Sequence, residues 1–417
     1  MRKRDIIEKN EQIVNIKFEG KNIIAYEGET VAEALFANGI DFFMLSNKYF
    51  RPRGLFCKDG KCGQCKMNID GNRNALACRT FVREGISVKR NIPKLSIKDL
   101  KNFSFYLNLP FFIFLLKNLF IQENRIQERK RIEEYSTEIL IIGGGSAGNS
   151  AFNTIKKFGG NVILVNDGPI SAESSENALA FENMNIFSIE GKTAYGISEK
   201  RIIKINANKI IIATGSYNID RPFKNNDVPG IMLFSEVKNL IEKNIKPGKN
   251  AVIIGSSGEE EGIANFLQSK GVKVKGIITE NLYKSKYDLF YFYKIEKAVG
   301  YRKLNAILIG KGKMLKKINC DLLIFTDKSK NLDLVLNVNG KIAYSREKHS
   351  FFPVRDKNLT ISKDIYYAGN FSDDESLKEG EKAAILALNI TKKKNERILE
   401  IVGVKNENNM QIYGYNG

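Results

Sequence analysis

Four of the five cysteines fall in one short stretch, as Cys57, Cys62, Cys65 and Cys78 in the spacing C-x4-C-x2-C-x12-C. The first three read CKDGKCGQC. C-x4-C-x2-C with a distant fourth cysteine is the plant-type pattern of [2Fe–2S] ligation. Three thiolates on one loop must converge on two irons while the loop's amides face the sulfides. Gly60 and Gly63 let the backbone wrap that tightly, because no side chain blocks the approach. The fourth ligand comes from a neighbouring hairpin end, in ALACRT. Two other chemistries stay open at this point. Structural zinc usually takes two CxxC pairs at wider separation, whereas this run holds one. A redox dithiol needs only the CxxC. Cys320 stands alone after a strand-like stretch and reads as a buried apolar filler.

A second constellation is glycine-rich. Gly143, Gly145 and Gly148 give G-x-G-x-x-G directly after the strand EILII and at the mouth of a helix. In that context the first glycine makes the tight turn, the second admits a pyrophosphate and the third allows helix–strand packing. Ser146 and Ala147 open the helix, whose amides and dipole favour a phosphate. The acid that holds an adenosine ribose in such folds ends the next strand. Here NVILV is followed by Asn166, which lacks the charge, and then by Asp167. Further on, KIIIATGS ends a strand at Thr214 and Gly215, and DIYYAGN carries Gly369 and Asn370 before an alanine-rich helix. Such a strand-loop-helix can close a flavin site. AVIIGSSGEEEGIA is a damaged second fingerprint: Gly255 is kept, Ser257 and Glu260 replace the other two glycines, and a carboxylate beside a pyrophosphate repels it. NAD(P) is therefore not expected there.

Several classes are excluded by composition. His349 is the sole histidine, which removes Ser-His-Asp and Cys-His triads and any zinc centre of several imidazoles. A hydrophobic content of 43% excludes global disorder. Lysine and arginine outnumber acids 66 to 47, for a net charge of +19. The lysines are spread along the chain without a basic-aromatic stripe or nucleic-acid motif, so no nucleic acid is expected. They read first as a solvated surface and second as a face for an acidic electron-acceptor protein.

The elements that must position these residues follow from periodicity. QIVNIKF and NIIAY alternate as two strands around a turn, and Thr30 and Glu33 form a capping box opening a helix. A hairpin turns at Asp70–Gly71, and a last strand lies near Ile86–Val88. From residue 137 the pattern becomes strand-loop-helix-strand, twice: EILII to NVILV, and residues 251–274. The greasy stretch 103–121 contains Asn108 and Pro110 and meets Lys117, short of the ~20 residues a spanning helix needs. No transmembrane span and no secretory signal are expected, and the location expected is cytoplasmic. ENRIQERKRIEEYS after it reads as a charged helix.

With these residues in hand, the chain resembles the α subunits of heteromeric sarcosine oxidases, dye-linked proline and hydroxyproline dehydrogenases and hydrogen cyanide synthase. RPRGLFCKDGKCGQC…NALACRTFVREG resembles the N-terminal ferredoxin-like domain of that family, and LPFFIFLLKNLF its aromatic connector. GGGSAGNSA, IIATGS and IYYAGN resemble its three flavin-domain motifs, in a shortened form. The implied fold is an α+β ferredoxin-like (β-grasp) domain followed by an α/β two-dinucleotide-binding-domain flavoprotein. The domains expected are 1–92 for the cluster, 93–136 as linker, and 137–216 with 346–395 for FAD. A degenerate NAD(P)-type domain at 217–345 and a tail at 396–417 complete the chain. The resemblance implies a [2Fe–2S] cluster, FAD or another adenine nucleotide, and a catalytic flavoprotein partner that oxidises a sarcosine- or proline-type amine. No catalytic base is identified in this chain. The alternatives are a self-contained NAD(P)H-dependent flavin reductase and a non-catalytic scaffold that has lost its flavin.

Overall fold

The computed structural model describes residues 12–93, 131–170, 172–198, 201–345 and 350–389. They form two compact units, one drawn from Met1–Gln127 with Tyr217–Ser329, the other from Glu128–Ser216 with Lys330–Gly417. Among the described residues there are six helices: α1 (Val31–Ala37), α2 (Ser146–Lys157), α3 (Phe234–Glu242), α4 (Glu260–Ser269), α5 (Asp333–Asn337) and α6 (Asp373–Ala387).

In the first unit, a five-stranded sheet runs in the order Lys21–Tyr26, Ile13–Phe18, Ser87–Arg90, Lys66–Ile69, Asn72–Leu76. IVNIKF alternates outward and inward residues, burying Val14, Ile16 and Phe18, as one covered sheet face requires. Its neighbour is antiparallel across a tight turn, whereas Ser87–Arg90 joins it in parallel. This mixed sheet with α1 packed on it is the β-grasp arrangement. The capping box of α1 is present: Thr30 Oγ1 accepts from Glu33 N at 3.3 Å and Glu33 Oε2 accepts from Thr30 N at 2.7 Å. All seven residues of α1 are buried, because the unit's second sheet layer covers its other side.

That second layer is all parallel, in the order Ile231–Leu233, Leu322–Phe325, Asn250–Ile254, Lys273–Thr279, Leu289–Tyr291. Its central strands NAVII and LLIF are buried runs rather than alternations, as a parallel sheet covered on both faces demands. One core joins the two layers, with Ile16, Leu35 and Val88 in the same cluster as Val237, Leu240 and Ile253. Cys320 sits in the neighbouring cluster, where burial pushes its thiol up to about 12.

The second unit is built on an eight-stranded sheet centred on Arg131–Ile142 and Arg201–Ile212. Arg201–Ile212 pairs antiparallel with Thr193–Ile197 along its first half and parallel with Ile365–Tyr367 along its second. The charged helix read from ENRIQERKRIEEYS is not what residues 131–136 form. They are the start of the long strand, in register Arg131↔Arg201 to Ile142↔Ile212. Charges that suggested a solvated helix instead pair across strands: Arg201 with Glu133 at 2.8 Å and Lys204 with Glu134 at 3.4 Å. The greasy stretch 103–121, His349 and the tail 396–417 lie outside the described residues. No helix among the described residues is long and apolar enough to cross a membrane.

Candidate cluster and nucleotide sites

Cys57, Cys62 and Cys65 lie on the loop between strands Pro52–Arg53 and Lys66–Ile69, and Cys78 follows Asn72–Leu76. Ala77 N donates to Cys65 O at 3.0 Å, tying the hairpin end to the loop. Three residues turn the loop in the left-handed region: Lys58 at φ 64°, Gly60 at φ 76° and Gly63 at φ 65°. A side chain on Gly60 would meet Leu76 Cδ1 at 3.0 Å and the Arg79 stem at 3.1 Å. The four thiols come together as two pairs: Cys57 Sγ to Cys62 Sγ is 3.2 Å, and Cys65 Sγ to Cys78 Sγ is 3.3 Å. Within each pair, a hydrogen bond from one sulfur to the other favours the thiolate form of the acceptor. Cys57 is thereby lowered to about 6, and Cys65 is lowered by Cys78. Cys62 and Cys78 are correspondingly raised. Among the described residues, no three His, Cys, Asp or Glu side chains form a group compact enough for a single ion.

What the cysteine spacing does not announce is the role of α3, about 180 residues further along the chain. Leu233 N donates to Phe56 O at 2.9 Å, and Ser235 Oγ to Cys57 O at 3.5 Å, so the strand-to-helix turn clamps the loop's entry. Glu236 follows, only 1% exposed, with neither carboxyl oxygen hydrogen-bonded. Burial, then the charges of Glu33, Cys57 and Cys65, push it up to about 8. On the outer side, Lys58, Lys61 and Lys66 are exposed. Lys61 Nζ lies 4.3 Å over the Tyr217 ring.

In the second unit, a side chain on Gly143 would overlap the Ala213 carbonyl, and one on Gly148 would overlap the Gly143 carbonyl. These two glycines are therefore required by the close approach of loop, strand and helix. Gly145 is different. It is the N-cap of α2, makes no side-chain cap, and its missing side chain points into open space. Small residues also draw α2 onto α6: a side chain on Gly380 would overlap the Ala147 carbonyl, and Ala147 Cβ lies 3.8 Å from that position on Gly369. The crossing brings Ala147 beside Gly369. Thr214 Oγ1 donates to Asn331 O at 2.8 Å and Asn331 N donates to Gly215 O at 3.0 Å, closing the ATG strand end. Gly369 N donates to Glu379 Oε2 at 2.8 Å, and Asn370 N donates to Ser376 Oγ at 2.9 Å.

Asn166 faces the chain itself. Its Oδ1 accepts from Gly144 N at 2.9 Å and its Nδ2 donates to Pro169 O at 3.0 Å. Asp167 Oδ2 accepts from Asn185 Nδ2 at 3.4 Å. A feature outside the sequence motifs is Asp373, in the first turn of α6, whose Oδ1 accepts from Ser146 Oγ at 2.7 Å. The open N-terminus of α2 suits a phosphate, and this carboxylate beside it weakens the attraction.

Residues 11–93 match the family model of the 2Fe-2S iron-sulfur cluster binding domain. Hydrogen cyanide synthase subunit HcnA of Pseudomonas aeruginosa is 34% identical over 88 residues, which cover 84% of that protein and 21% of this one. The chain belongs to the sarcosine oxidase α-subunit and hydrogen cyanide synthase family. Sarcosine oxidase subunit alpha of Corynebacterium sp. (strain P-1) is 23% identical over 316 residues, 64% of this chain. This family member spans only 30% of that relative's length. The crystal structure of L-proline dehydrogenase from P. horikoshii superposes with a TM-score of 0.69 at 21% identity, covering 97% of this chain and 77% of that one. The fold is thus an iron–sulfur-type N-terminal domain joined to a Rossmann-like α/β flavoprotein fold.

Proposed function

We propose that this chain is the electron-transferring, iron–sulfur subunit of a flavin-dependent amine or imino-acid dehydrogenase. The observation that carries the reading is the pair of thiol pairs inside a matched 2Fe-2S domain. Two irons need two thiolates each, and Cys57 with Cys62, and Cys65 with Cys78, offer that division. A single zinc would ask for four thiolates around one centre. The fit extends to the glycine turns, which keep side chains off the loop. In the second unit, Gly145, Ser146, Ala147 and Gly148 would hold the phosphates of FAD or another adenine nucleotide, with Thr214, Gly215, Gly369 and Asn370 around it. When bound, the cluster supplies one-electron transfer and the flavin supplies the exchange of electron pairs for single electrons.

The chain's own residues do the rest. The clamp from Leu233 and Ser235 holds the loop's entry rigid, so little rearrangement accompanies a change of charge on the thiolates. The basic rim of Lys58, Lys61 and Lys66 favours an acidic electron-acceptor protein by charge complementarity. In this reading, amine oxidation falls to a catalytic flavoprotein partner acting on a sarcosine- or proline-type substrate, and no general base is assigned in this chain. A reducing, cytoplasmic location keeps Cys57, Cys62, Cys65 and Cys78 free for this role.

Iron, sulfide and released nucleotide in the anaerobically purified chain test these assignments. Cys62→Ser is expected to remove most of the iron and the visible cluster absorbance. Unchanged iron would sink the ligand assignment. Gly145→Val fills the open space at the α2 N-terminus and is expected to lower bound nucleotide at least tenfold, about 1.4 kcal/mol. The identity of the nucleotide after acid release separates FAD from its alternative.

A further inference from the structure

The loop that leads into α4 offers three consecutive backbone N–H groups, from Ser256, Ser257 and Gly258. In a dinucleotide-binding loop such amides, with the helix dipole, take the pyrophosphate. Here all three are already taken by the chain's own carboxylates. Ser256 N donates to Asp327 Oδ1 at 2.8 Å, Ser257 N to Glu260 Oε1 at 2.8 Å, and Gly258 N to Glu260 Oε2 at 3.0 Å. The Ser257 hydroxyl adds to the set on Glu260 Oε1 at 2.7 Å, and the Thr326 hydroxyl is shared between Ile254 O at 3.2 Å and Glu260 Oε1 at 3.3 Å.

Glu260 is wholly buried, yet its charge is answered from every side by donors. It stands in the first turn of α4, where the dipole favours an anion. Its Oε1 also lies 2.8 Å from where a side chain on Gly255 would start, against the glycine that the fingerprint keeps. The nearby cations are engaged as well. Arg221 pairs with Asp327 at 2.8 Å and Lys328 with Glu259 at 2.7 Å. A ligand phosphate would therefore have to evict a buried carboxylate and leave it uncompensated, which is strongly unfavourable.

We propose that Glu260 is a specificity-determining residue: its carboxylate occupies, as a built-in anion, the place where a dinucleotide's pyrophosphate would meet this loop, so that the domain refuses NADH and NADPH. This goes beyond like-charge repulsion, since the site is filled rather than merely hostile. It rests on the electron-transfer reading above and deepens it, because a chain closed to nicotinamide donors takes its electrons from a partner.

The test uses the full chain, purified anaerobically, with NADH and NADPH as probes in equilibrium dialysis. The wild-type chain is expected to bind neither with a dissociation constant below about 1 mM. Glu260→Ala with Ser257→Gly empties the loop and restores the second glycine, and is expected to tighten binding of at least one probe by about tenfold or more. Where that double variant does not fold, Glu260→Ser withdraws the carboxylate from the loop amides and leaves a small polar side chain in its place. It is then expected to bind inorganic pyrophosphate more tightly than wild type. A folded variant with no gain overturns the proposal. So does saturable binding of either probe to wild type that Gly255→Val abolishes. NADH binding to wild type without bleaching of the cluster absorbance removes the role of Glu260 and leaves the subunit reading standing. Bleaching by NADH overturns both, and a chain without iron overturns the subunit reading alone.

Discussion

Glu236 is a carboxyl with no hydrogen-bond partner, buried behind the cysteine loop. Its ordinary value of 4.5 is raised to about 8, by burial first and then by Glu33, Cys57 and Cys65. The folded chain thus keeps a proton there that the unfolded chain gives up. The stability this contributes is complete below about 4.5 and is lost as pH rises through about 8. Glu236→Gln is expected to remove that share of the pH dependence. Anaerobic urea unfolding at several pH values between these limits checks it: the gap between variant and wild type should widen as pH rises. An unchanged gap would count against the assignment. At this scale the cysteines and the glycines were legible because their types and spacing are local. Glu236 was not, since a glutamate in a helical stretch reads as solvated, and only the packing of α3 on the loop buries it. Asn166 was legible in position but not in direction. Its place at the strand end is fixed by spacing, whereas its turn toward Gly144 depends on the loop's shape.

Elements were legible where periodicity and caps agree. The alternation in residues 13–18 and the capping box of α1 each describe a local preference that the fold keeps. ENRIQERKRIEEYS failed for residues 131–136 because its charges are equally compatible with a helix face and a cross-strand ladder. The partner strand, 70 residues away at Arg201–Ile212, decides between them. The α2–α6 crossing shows the same dependence on a distant partner. Gly380 lies mid-helix, where alanine ordinarily favours the helix by about 1 kcal/mol. Here a side chain would strike the Ala147 carbonyl. Gly380→Ala is therefore expected to destabilise the second unit, by about 1–3 kcal/mol from overpacking. A stabilised variant in thermal or urea unfolding would contradict the close crossing.

On the scale of the whole molecule, the N-terminal domain is not a free module within its unit. Glu33 reaches from α1 to Asn239 Nδ2 and Lys243 Nζ, both at 2.7 Å, and the same core continues through α3. Glu33→Ala also removes the second half of its capping box. It is expected to lower stability by about 1–3 kcal/mol, as buried donors lose their acceptor. Followed together, cluster absorbance and far-ultraviolet circular dichroism should shift to lower urea in parallel. A shift confined to the cluster signal would mean that the two layers unfold separately. The sequence pointed to two α/β repeats and a small β domain, but not to this shared core, because nothing local in residues 31–37 says what will cover them.

The span between Glu33 and Lys243 is 210 residues. A ribosome adding about 5–20 residues per second needs roughly 10–40 seconds to cross it. For that interval α1 has its own sheet beneath it and no α3 above it. The clamp at Phe56 and Cys57 is absent for a somewhat shorter interval, since 178 residues separate Cys57 from Ser235. Nascent chains therefore pass through a stage in which the four thiols are reachable from the side that α3 later seals, and iron delivered during synthesis meets an open loop rather than a finished one.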